Sequence, residues 1–380
     1  MRSLSRHQEP GRDPPVYEGD TRHPRQSRCR RAVRRRELVM SAPQPFYVLL
    51  DANVWVAERL LQSSIGSALL YALTGANALL LLPEVVELEV NRVLPELAEK
   101  AVTVIRRETS LLRQLSGHTL MFTGPSVGAI ADGIKDRWEK LDGLLERIPF
   151  TNDQARAALH RVIRKAPPSG ENNEQFRDSC IWEAALSAAS NRPVHLVTAD
   201  SAFYESRNRS AGLAAILKQE LAQAEKDIRL YSDLKDFLAA VPANTPSIDE
   251  EAIGRAILEA VTPRAHEIAS DKGNFTLAMD ERAFEVGGSL RPRIRGYATP
   301  KPSLIAISFE VAFDLKSVER SANAGGKTEA GPAAELTLRG VCSFDPNAKA
   351  ISEVELREWS TALFSERAPG TSPVHTQLQK

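Results

Sequence analysis

The chain has 380 residues and a mass of 41.8 kDa, and 42% of its residues are hydrophobic, which is ordinary for a globular protein. This composition excludes wholesale disorder, collagen-like repeats and a small disulfide-stabilised scaffold. The formal net charge is zero, with 49 basic and 49 acidic side chains, which on its face argues against a strongly basic nucleic-acid binder.

The first forty residues differ from the rest of the chain. Residues 1–40 contain eleven Arg, no Lys and five acidic residues, so they carry +6 while the remaining 340 residues carry −6. Because the segment has no hydrophobic periodicity, we expect it to be disordered. We favour the interpretation that it is translated upstream sequence and that the natural chain begins at Met40. A basic arm that grips phosphates and an unstructured tail are the alternatives.

Residues 41–241 alternate short apolar runs with helical patterns. The predicted strands are Phe46–Leu50, Ala78–Leu82, Val194–Val197 and Ile228–Tyr231. The predicted helices are Ala57–Leu73, Glu84–Leu115, Val127–Arg147, Asp153–Lys165, Asp178–Ser190, Leu213–Lys226 and Asp233–Ala240, the last with Ser232 as its N-cap. Continuous apolar strands separated by helices indicate an α/β fold, a doubly wound parallel sheet with a helical insertion over 127–165.

A different pattern begins after a predicted linker at Pro242–Pro246. Ser247 and Glu250 form a possible capping box for a helix over Ile248–Ala260. Three segments with alternating apolar and polar residues are predicted strands, namely Arg293–Ala298, Leu304–Leu315 and Ala334–Phe344. We therefore predict a smaller C-terminal α+β domain over 246–367 and a flexible tail over 368–380.

The chain carries no sign of secretion or of a membrane span. Its three cysteines, Cys29, Cys180 and Cys342, are far apart and form no CxxC motif, which favours a reducing compartment. No apolar run reaches the ~18 residues of a spanning helix, and the N-terminus has no apolar core of a signal peptide. We expect a cytoplasmic protein.

Four acidic residues fall where an α/β sheet gathers its functional groups. Asp51 and Asp200 directly follow predicted strands, Asp178 begins a helix, and Glu89 lies less than two turns into the helix after strand two. Ligands of such sheets bind beyond the carboxyl ends of the strands. Converging carboxylates repel one another unless cations lie between them, and Mg²⁺ and Mn²⁺ prefer such oxygen ligands. The pattern predicts a site for Mg²⁺ or Mn²⁺.

The segments LLDANVW, LPEVVELEVNRVL, RDSCIWEAAL and LVTADSAFY, in this order, resemble those of the PIN-domain nucleases. The resemblance spans roughly residues 46–240 and looks closest to a larger PIN-like subgroup with a helical insertion and a C-terminal extra domain. It implies a metal-dependent endoribonuclease that cleaves RNA, often the toxin partnered by an antitoxin protein. By position, Asp51, Glu89, Asp178 and Asp200 become the metal-binding acids, and Asn53 and Thr198 the groups that orient them.

The chain departs from the family pattern at one position, and one assignment has an alternative. Many relatives have Thr or Ser directly after the first Asp, whereas this chain has Ala52, so that hydroxyl is missing. Glu87 is the alternative to Glu89, and the alignment on Pro83 favours Glu89. Both cannot point the same way, because they lie two residues apart on one helix.

Several cationic side chains are candidates for contacts with RNA phosphates, the alternative being an ordinary solvated surface. They are Arg161, Arg164, Lys165, Arg207 and Arg209, and Arg291, Arg293 and Arg295 form a further alternating stripe on one predicted strand. Two other functions compete with a nuclease. One is a catalytically inactive PIN-like module that binds RNA or a protein. The other is a phosphohydrolase of small substrates, which the lack of a DxD pair at Asp51 disfavours.

Overall fold

A computed structural model describes residues 45–117, 121–170, 174–241, 246–271, 283–319 and 328–363, which belong to one compact unit. The predictions for residues 1–40 and 368–380, and most of the predicted linker, lie outside these residues. The limits of the two predicted domains stay predictions. No helix in the described part of the chain is long and apolar enough to cross a bilayer.

The first region is a five-stranded parallel sheet in the order β3-β2-β1-β4-β5. Its strands are β1 Tyr47–Leu50, β2 Leu79–Pro83, β3 Leu145–Ile148, β4 Val194–Val197 and β5 Ile228–Tyr231. Its helices are α1 Ala52–Ala57, α2 Ser64–Ala76, α3 Glu84–Ser116, α4 Val127–Leu141, α5 Asn152–Arg164, α6 Phe176–Ala188, α7 Ala215–Ala224 and α8 Leu234–Ala240. The predicted α/β fold with a parallel sheet is confirmed.

The second region is an antiparallel sheet packed on one long helix. The helix is α9 Glu250–Ser270, and the strands are β6 Ala283–Ser289, β7 Arg293–Ala298, β8 Ile305–Glu319, β9 Thr328–Asp345 and β10 Ala350–Leu363. Strand β8 pairs with β6, β7 and β9, and β10 pairs with β9. Apolar side chains of α9, such as Ile257 and Val261, share a buried core with Ile307 and Phe309 of β8. The predicted α+β pattern is confirmed, although β6 and β10 were not predicted.

The two regions meet through α2, which packs against β7, β8 and β9. Tyr297, Ala306 and Val341 of the antiparallel sheet belong to the apolar core of the parallel sheet. A buried ion pair adds to this contact, because the guanidinium group of Arg357 on β10 donates to both carboxylate oxygens of Glu58 after α1. Apolar packing and an ion pair therefore both join the regions.

The predicted helix Ala57–Leu73 is wrong, because the chain breaks between α1 and α2. Arg59, Leu60 and Leu61 have φ values of 49°, 55° and 60°, which are left-handed conformations that cost non-glycine residues free energy. Arg137 of α4 offsets part of this cost by donating from Nε and Nη2 to the carbonyls of Leu60 and Leu61, at 2.8 and 3.0 Å. This long-range contact left no signal in the local sequence.

The predicted helix Val127–Arg147 is also wrong in its last part. Helix α4 ends at Leu141, and Leu145–Ile148 forms β3 instead, which pairs with β2 in parallel. This edge strand contains a glutamate and an arginine, so it lacks the continuous apolar run that marks the buried strands. Tertiary pairing decides its conformation.

Four predicted helix starts are wrong by a few residues, and the simplest case is α7, which begins at Ala215 instead of Leu213. Asp233, rather than Ser232, caps α8 by accepting a hydrogen bond from the Asp236 amide at 2.8 Å. Asp249 caps α9 in place of the predicted box of Ser247 and Glu250, and α9 runs to Ser270. Helix α6 begins at Phe176, so Asp178 lies in its first turn and does not open it.

Candidate functional site

Asp51 lies at the carboxyl ends of two neighbouring strands, β1 and β4. This residue directly follows β1, and its Oδ1 accepts a hydrogen bond from the Ala52 amide at 2.6 Å, which caps α1. Its Oδ2 accepts from the Thr198 hydroxyl at 2.8 Å, because β1 and β4 pair in parallel and Thr198 directly follows β4. Asp51 is only 1% exposed, and desolvation raises the pKa of its carboxyl group. Thr198, which the resemblance names as a group that orients the acids, therefore contacts the Asp51 carboxylate directly.

Asp200 lies two residues beyond Thr198 and is half-buried. The Thr198 hydroxyl accepts a hydrogen bond from the Asp200 amide at 3.0 Å, so one side chain fixes the positions of both acids. Oδ1 of Asp200 accepts from the Ala202 amide at 2.8 Å. Its charge reaches the other acids, since it contributes to raising the pKa of Asp51 and of Asp178.

Asp178 is the most unusual acid of the described structure. It is fully buried, yet neither carboxylate oxygen has a hydrogen-bond partner within the described residues. The nearest cation is its neighbour Arg177, whose Nε lies 3.6 Å from Oδ1. Burial, followed by the charges of Asp200 and Asp51, raises the pKa of Asp178 to about 7. Buried polar groups normally have partners, so two bare oxygens at one side chain call for an explanation.

Glu89 on α3 completes the acidic set. One of its oxygens pairs with Nη1 of Arg177, and the other, Oε2, is buried without a hydrogen-bond partner. Burial raises its pKa, Arg177 opposes this shift, and Asp51 adds to it. The alternative, Glu87, points elsewhere, because it pairs with Arg147 at 3.6 Å beside a groove between α3 and α4. The geometry favours Glu89 over Glu87.

Arg177 is the residue of this site that the sequence analysis missed. It pairs with Glu89 and approaches Asp178, so it brings a positive charge into the acidic cluster. The signal was its position directly before Asp178 in RDSCIWEAAL, one residue away on the same helix turn. A lone arginine beside a helix acid is common, so the position alone did not single it out.

The donor chemistry of the acids fits a hard divalent cation. Asp178 and Glu89 together present three buried carboxylate oxygens without hydrogen-bond partners, which are the ligands that Mg²⁺ and Mn²⁺ prefer. Among the described residues, however, no group of three or more His, Cys, Asp or Glu side chains stands close enough to form a ready-made metal site. The ligand types fit a metal, and the side chains are not drawn together around one.

The remaining predicted residues divide into solvated and internally paired groups. The side chain of Asn53 is exposed and makes no hydrogen bond within the described part of the chain. Arg161 is 11% exposed at its side chain and pairs with Glu183 and Glu220, so it is unsuited to contact phosphates. The other cations are exposed and form no ion pair among the residues described, namely Arg164, Lys165, Arg207 and Arg209.

Comparison with known proteins identifies the region that carries these acids. Residues 48–203 match the model of a family described as PIN domain, a range that contains all four acids and ends before β5 and the antiparallel sheet. No curated protein and no solved structure matches the chain significantly. PIN domains are generally nucleases and typically use divalent metals. Residues 48–203 of the parallel-sheet region therefore form a PIN domain, the domain of the PIN-domain nucleases.

Proposed function

We propose that this protein is a divalent-metal-dependent endoribonuclease, and that Asp51, Glu89, Asp178 and Asp200 hold Mg²⁺ or Mn²⁺. The observation that carries the proposal is the fully buried Asp178, whose two carboxylate oxygens lack partners although the charges of two other acids act on them. Leaving a buried carboxylate bare costs free energy, which a bound cation would recover. No structural role for such an arrangement is evident from its contacts.

Each side chain has a distinct task in this proposal. When bound, such a metal activates a water molecule and stabilises the leaving oxygen of a phosphodiester. Thr198 fixes the Asp51 carboxylate at 2.8 Å and the Asp200 backbone at 3.0 Å, so both acids are held in place before substrate arrives. Arg177 offsets part of the negative charge that would repel a phosphate. Burial of Asp51 and Asp178 excludes water and strengthens these interactions.

Within this proposal the substrate is RNA. The family resemblance further suggests that the protein is a toxin whose partner is an antitoxin protein. Exposed cations near the acids support a polyanionic substrate. Arg207 and Arg209 lie within ten residues of Asp200 on the same connection after β4. They stay candidates for phosphate contacts, as do Arg164 and Lys165.

A PIN-like module that binds RNA or a protein without catalysis is the second candidate. The pairing of Arg177 with Glu89 favours it, because an internal cation supplies some of the compensation that a metal would provide. The two candidates differ in one outcome, since only the nuclease hydrolyses RNA when Mn²⁺ is added.

The test compares the purified full chain with its Asp51→Asn variant on end-labelled RNA with Mn²⁺, and with EDTA. We expect cleavage by the wild-type protein with Mn²⁺ alone, and its loss in Asp51→Asn with the circular dichroism spectrum unchanged. Asp132→Asn, which makes the same change at an exposed acid of α4, is the matched control and should cleave normally. Undiminished cleavage by Asp51→Asn would refute the assignment, and activity only on simple phosphate esters would indicate a phosphohydrolase.

A further inference from the structure

A cavity of about 830 Å³ lies between the carboxyl edge of the parallel sheet and one face of the antiparallel sheet. The first region contributes Ala199 and Arg209 after β4, and Asp233 after β5. The second region contributes residues of β7 to β10, among them Arg295 and Arg339. Ala199 directly precedes Asp200 in the chain, although none of the four acids itself lines the cavity. We call it the inter-sheet cleft.

The cleft has an excess of positive charge. Six cationic side chains and four carboxylates line it. Several of the cations are paired, since Arg293 and Arg339 both contact Glu310, Lys235 contacts Asp233, and Arg357 contacts Glu58, which lies outside the lining. Arg209 and Arg295 are exposed and have no carboxylate partner among the described residues. These two guanidinium groups, one from each region, are therefore available for an anionic ligand.

The placement of the arginines on β7 follows from strand geometry. Arg293, Arg295 and Tyr297 are alternate residues of this strand, so they share the face that lines the cleft. Tyr297 is only 4% exposed, and its hydroxyl lies 3.4 Å from that of Ser308, so its ring is not a platform for stacking a base. The described lining of the cleft therefore offers charged side chains but no exposed tyrosine ring on which a base could stack. That chemistry suits a sugar-phosphate backbone better than bases.

We propose that the inter-sheet cleft binds the backbone of single-stranded RNA next to the scissile phosphodiester, with Arg209 and Arg295 contacting phosphates. Guanidinium groups bind phosphate oxygens in a bidentate manner, which suits them to this task. A pocket of this volume is in the range of sites for small ligands, so it suits a few nucleotides of a single strand and not a duplex. The location beside the acids rests on the proposed nuclease function, whereas binding by the two arginines is testable without it.

The test is fluorescence anisotropy of a labelled single-stranded oligoribonucleotide with the full chain in EDTA, which prevents metal-dependent cleavage. Arg295→Gln and Arg209→Gln should each raise the Kd by about 3- to 10-fold at low salt, and each should reduce the slope of log K against log salt by about 0.7. Arg106→Gln is the matched control, because Arg106 is an exposed arginine of α3 and does not line the cleft. Its Kd should stay within about twofold of the wild-type value.

The outcomes separate the cleft from the catalytic proposal. RNA binding that depends on Arg209 and Arg295 without Mn²⁺-dependent cleavage would support the cleft and refute the nuclease. Cleavage with an unchanged KM in both variants, and a Kd equal to that of Arg106→Gln, would refute the cleft and leave the nuclease intact. Equal affinity for duplex RNA would overturn the single-strand assignment, and equally strong competition by polyglutamate would point to an acidic protein instead.

Discussion

The two sheets of this protein differ in how far their charged side chains are compensated by partners. On the antiparallel sheet, Glu310 accepts from Arg293 and Arg339 at 3.2 and 2.7 Å, so charges on neighbouring strands neutralise one another. At the carboxyl edge of the parallel sheet, Asp178 is fully buried with two unpartnered oxygens, and Glu89 has a third. Paired charges are compatible with a structural role, whereas buried carboxylate oxygens without hydrogen-bond partners cost stability and are retained where a ligand compensates them.

The first prediction concerns the paired charges that join the two regions. Arg357→Met should reduce the free energy of unfolding by about 3–5 kcal/mol, because it leaves the Glu58 carboxylate, 3% exposed, without its cation. Urea unfolding measures this change. The matched control is Arg59→Met, which removes an exposed pair with Glu355 at 3.3 Å and should cost at most about 1 kcal/mol. Similar losses of unfolding free energy in both variants would show that the buried pair contributes no more to stability than the exposed one.

The second prediction concerns the two carboxylate oxygens of Asp178 that lack hydrogen-bond partners. Asp178→Asn should reduce RNA cleavage by about 10²- to 10³-fold, the usual loss when one electrostatic contact at a reacting centre is removed. The same variant should be more stable than the wild type at pH 8 without metal, since it lacks the buried negative charge. Single-turnover cleavage and urea unfolding in EDTA measure the two effects, with Asp132→Asn as control.

The pH dependence of this gain follows from the raised pKa. The native state holds the Asp178 proton more tightly than the unfolded chain, so wild-type stability falls as the pH rises from about 4 to about 7. At about 1.4 kcal/mol per pKa unit, the gain in Asp178→Asn reaches at most about 4 kcal/mol above pH 7 and disappears below pH 4. A variant that is both active and less stable at pH 8 would contradict the functional interpretation of the bare carboxylate.

The third prediction uses a buried titratable group of the same sheet that does have a partner. His195 on β4 lies 3.0 Å from the Tyr231 hydroxyl, and burial lowers its pKa to about 4. The unfolded chain binds this proton more tightly, so stability falls as the pH drops from 6.5 towards 4, by at most about 3 kcal/mol. His195→Gln should lack this part of the acid sensitivity. Parallel stability profiles of the two proteins over this range would contradict the assignment.

The fourth prediction concerns Arg177, the internal cation of the acidic cluster. Arg177→Met should bind Mn²⁺ about 10-fold more tightly, which corresponds to about 1.4 kcal/mol, because the metal no longer competes with a positive charge. Thermal unfolding across a Mn²⁺ titration measures this difference, with Arg264→Met, an exposed pair on α9, as control. An identical Mn²⁺ response in wild type and Arg177→Met would show that Arg177 does not compensate the metal-binding acids.

Local patterns were sufficient to predict most of the parallel sheet and the positions of its acids. Strands β1 and β2 are apolar runs, β4 is apolar apart from His195 and β5 apart from Arg229, and the carboxyl ends of parallel strands meet at one edge whatever the details of the loops. For this reason Asp51 and Asp200 were expected at one edge of the sheet, and Thr198, two residues before Asp200, contacts the Asp51 carboxylate at 2.8 Å.

Features that depend on distant partners were not predictable. The left-handed turn at Arg59–Leu61 is held by Arg137, and the charged edge strand β3 forms only because β2 accepts it. The position of Arg161 in its helix predicted a surface cation, yet its side chain pairs with Glu183 and Glu220 of two other helices. In each case a contact far along the chain overrides the local preference.

The central claim, that the acids at the edge of the parallel sheet hold catalytic divalent metal, is tested most directly by a crystal structure of the full chain soaked in millimolar Mn²⁺. Anomalous scattering locates Mn²⁺ independently of water. We predict at least one ion bound by Asp51 together with Asp178 or Asp200, with the previously bare oxygens of Asp178 turned towards it. A well-ordered edge without any anomalous peak at these carboxylates would contradict the claim.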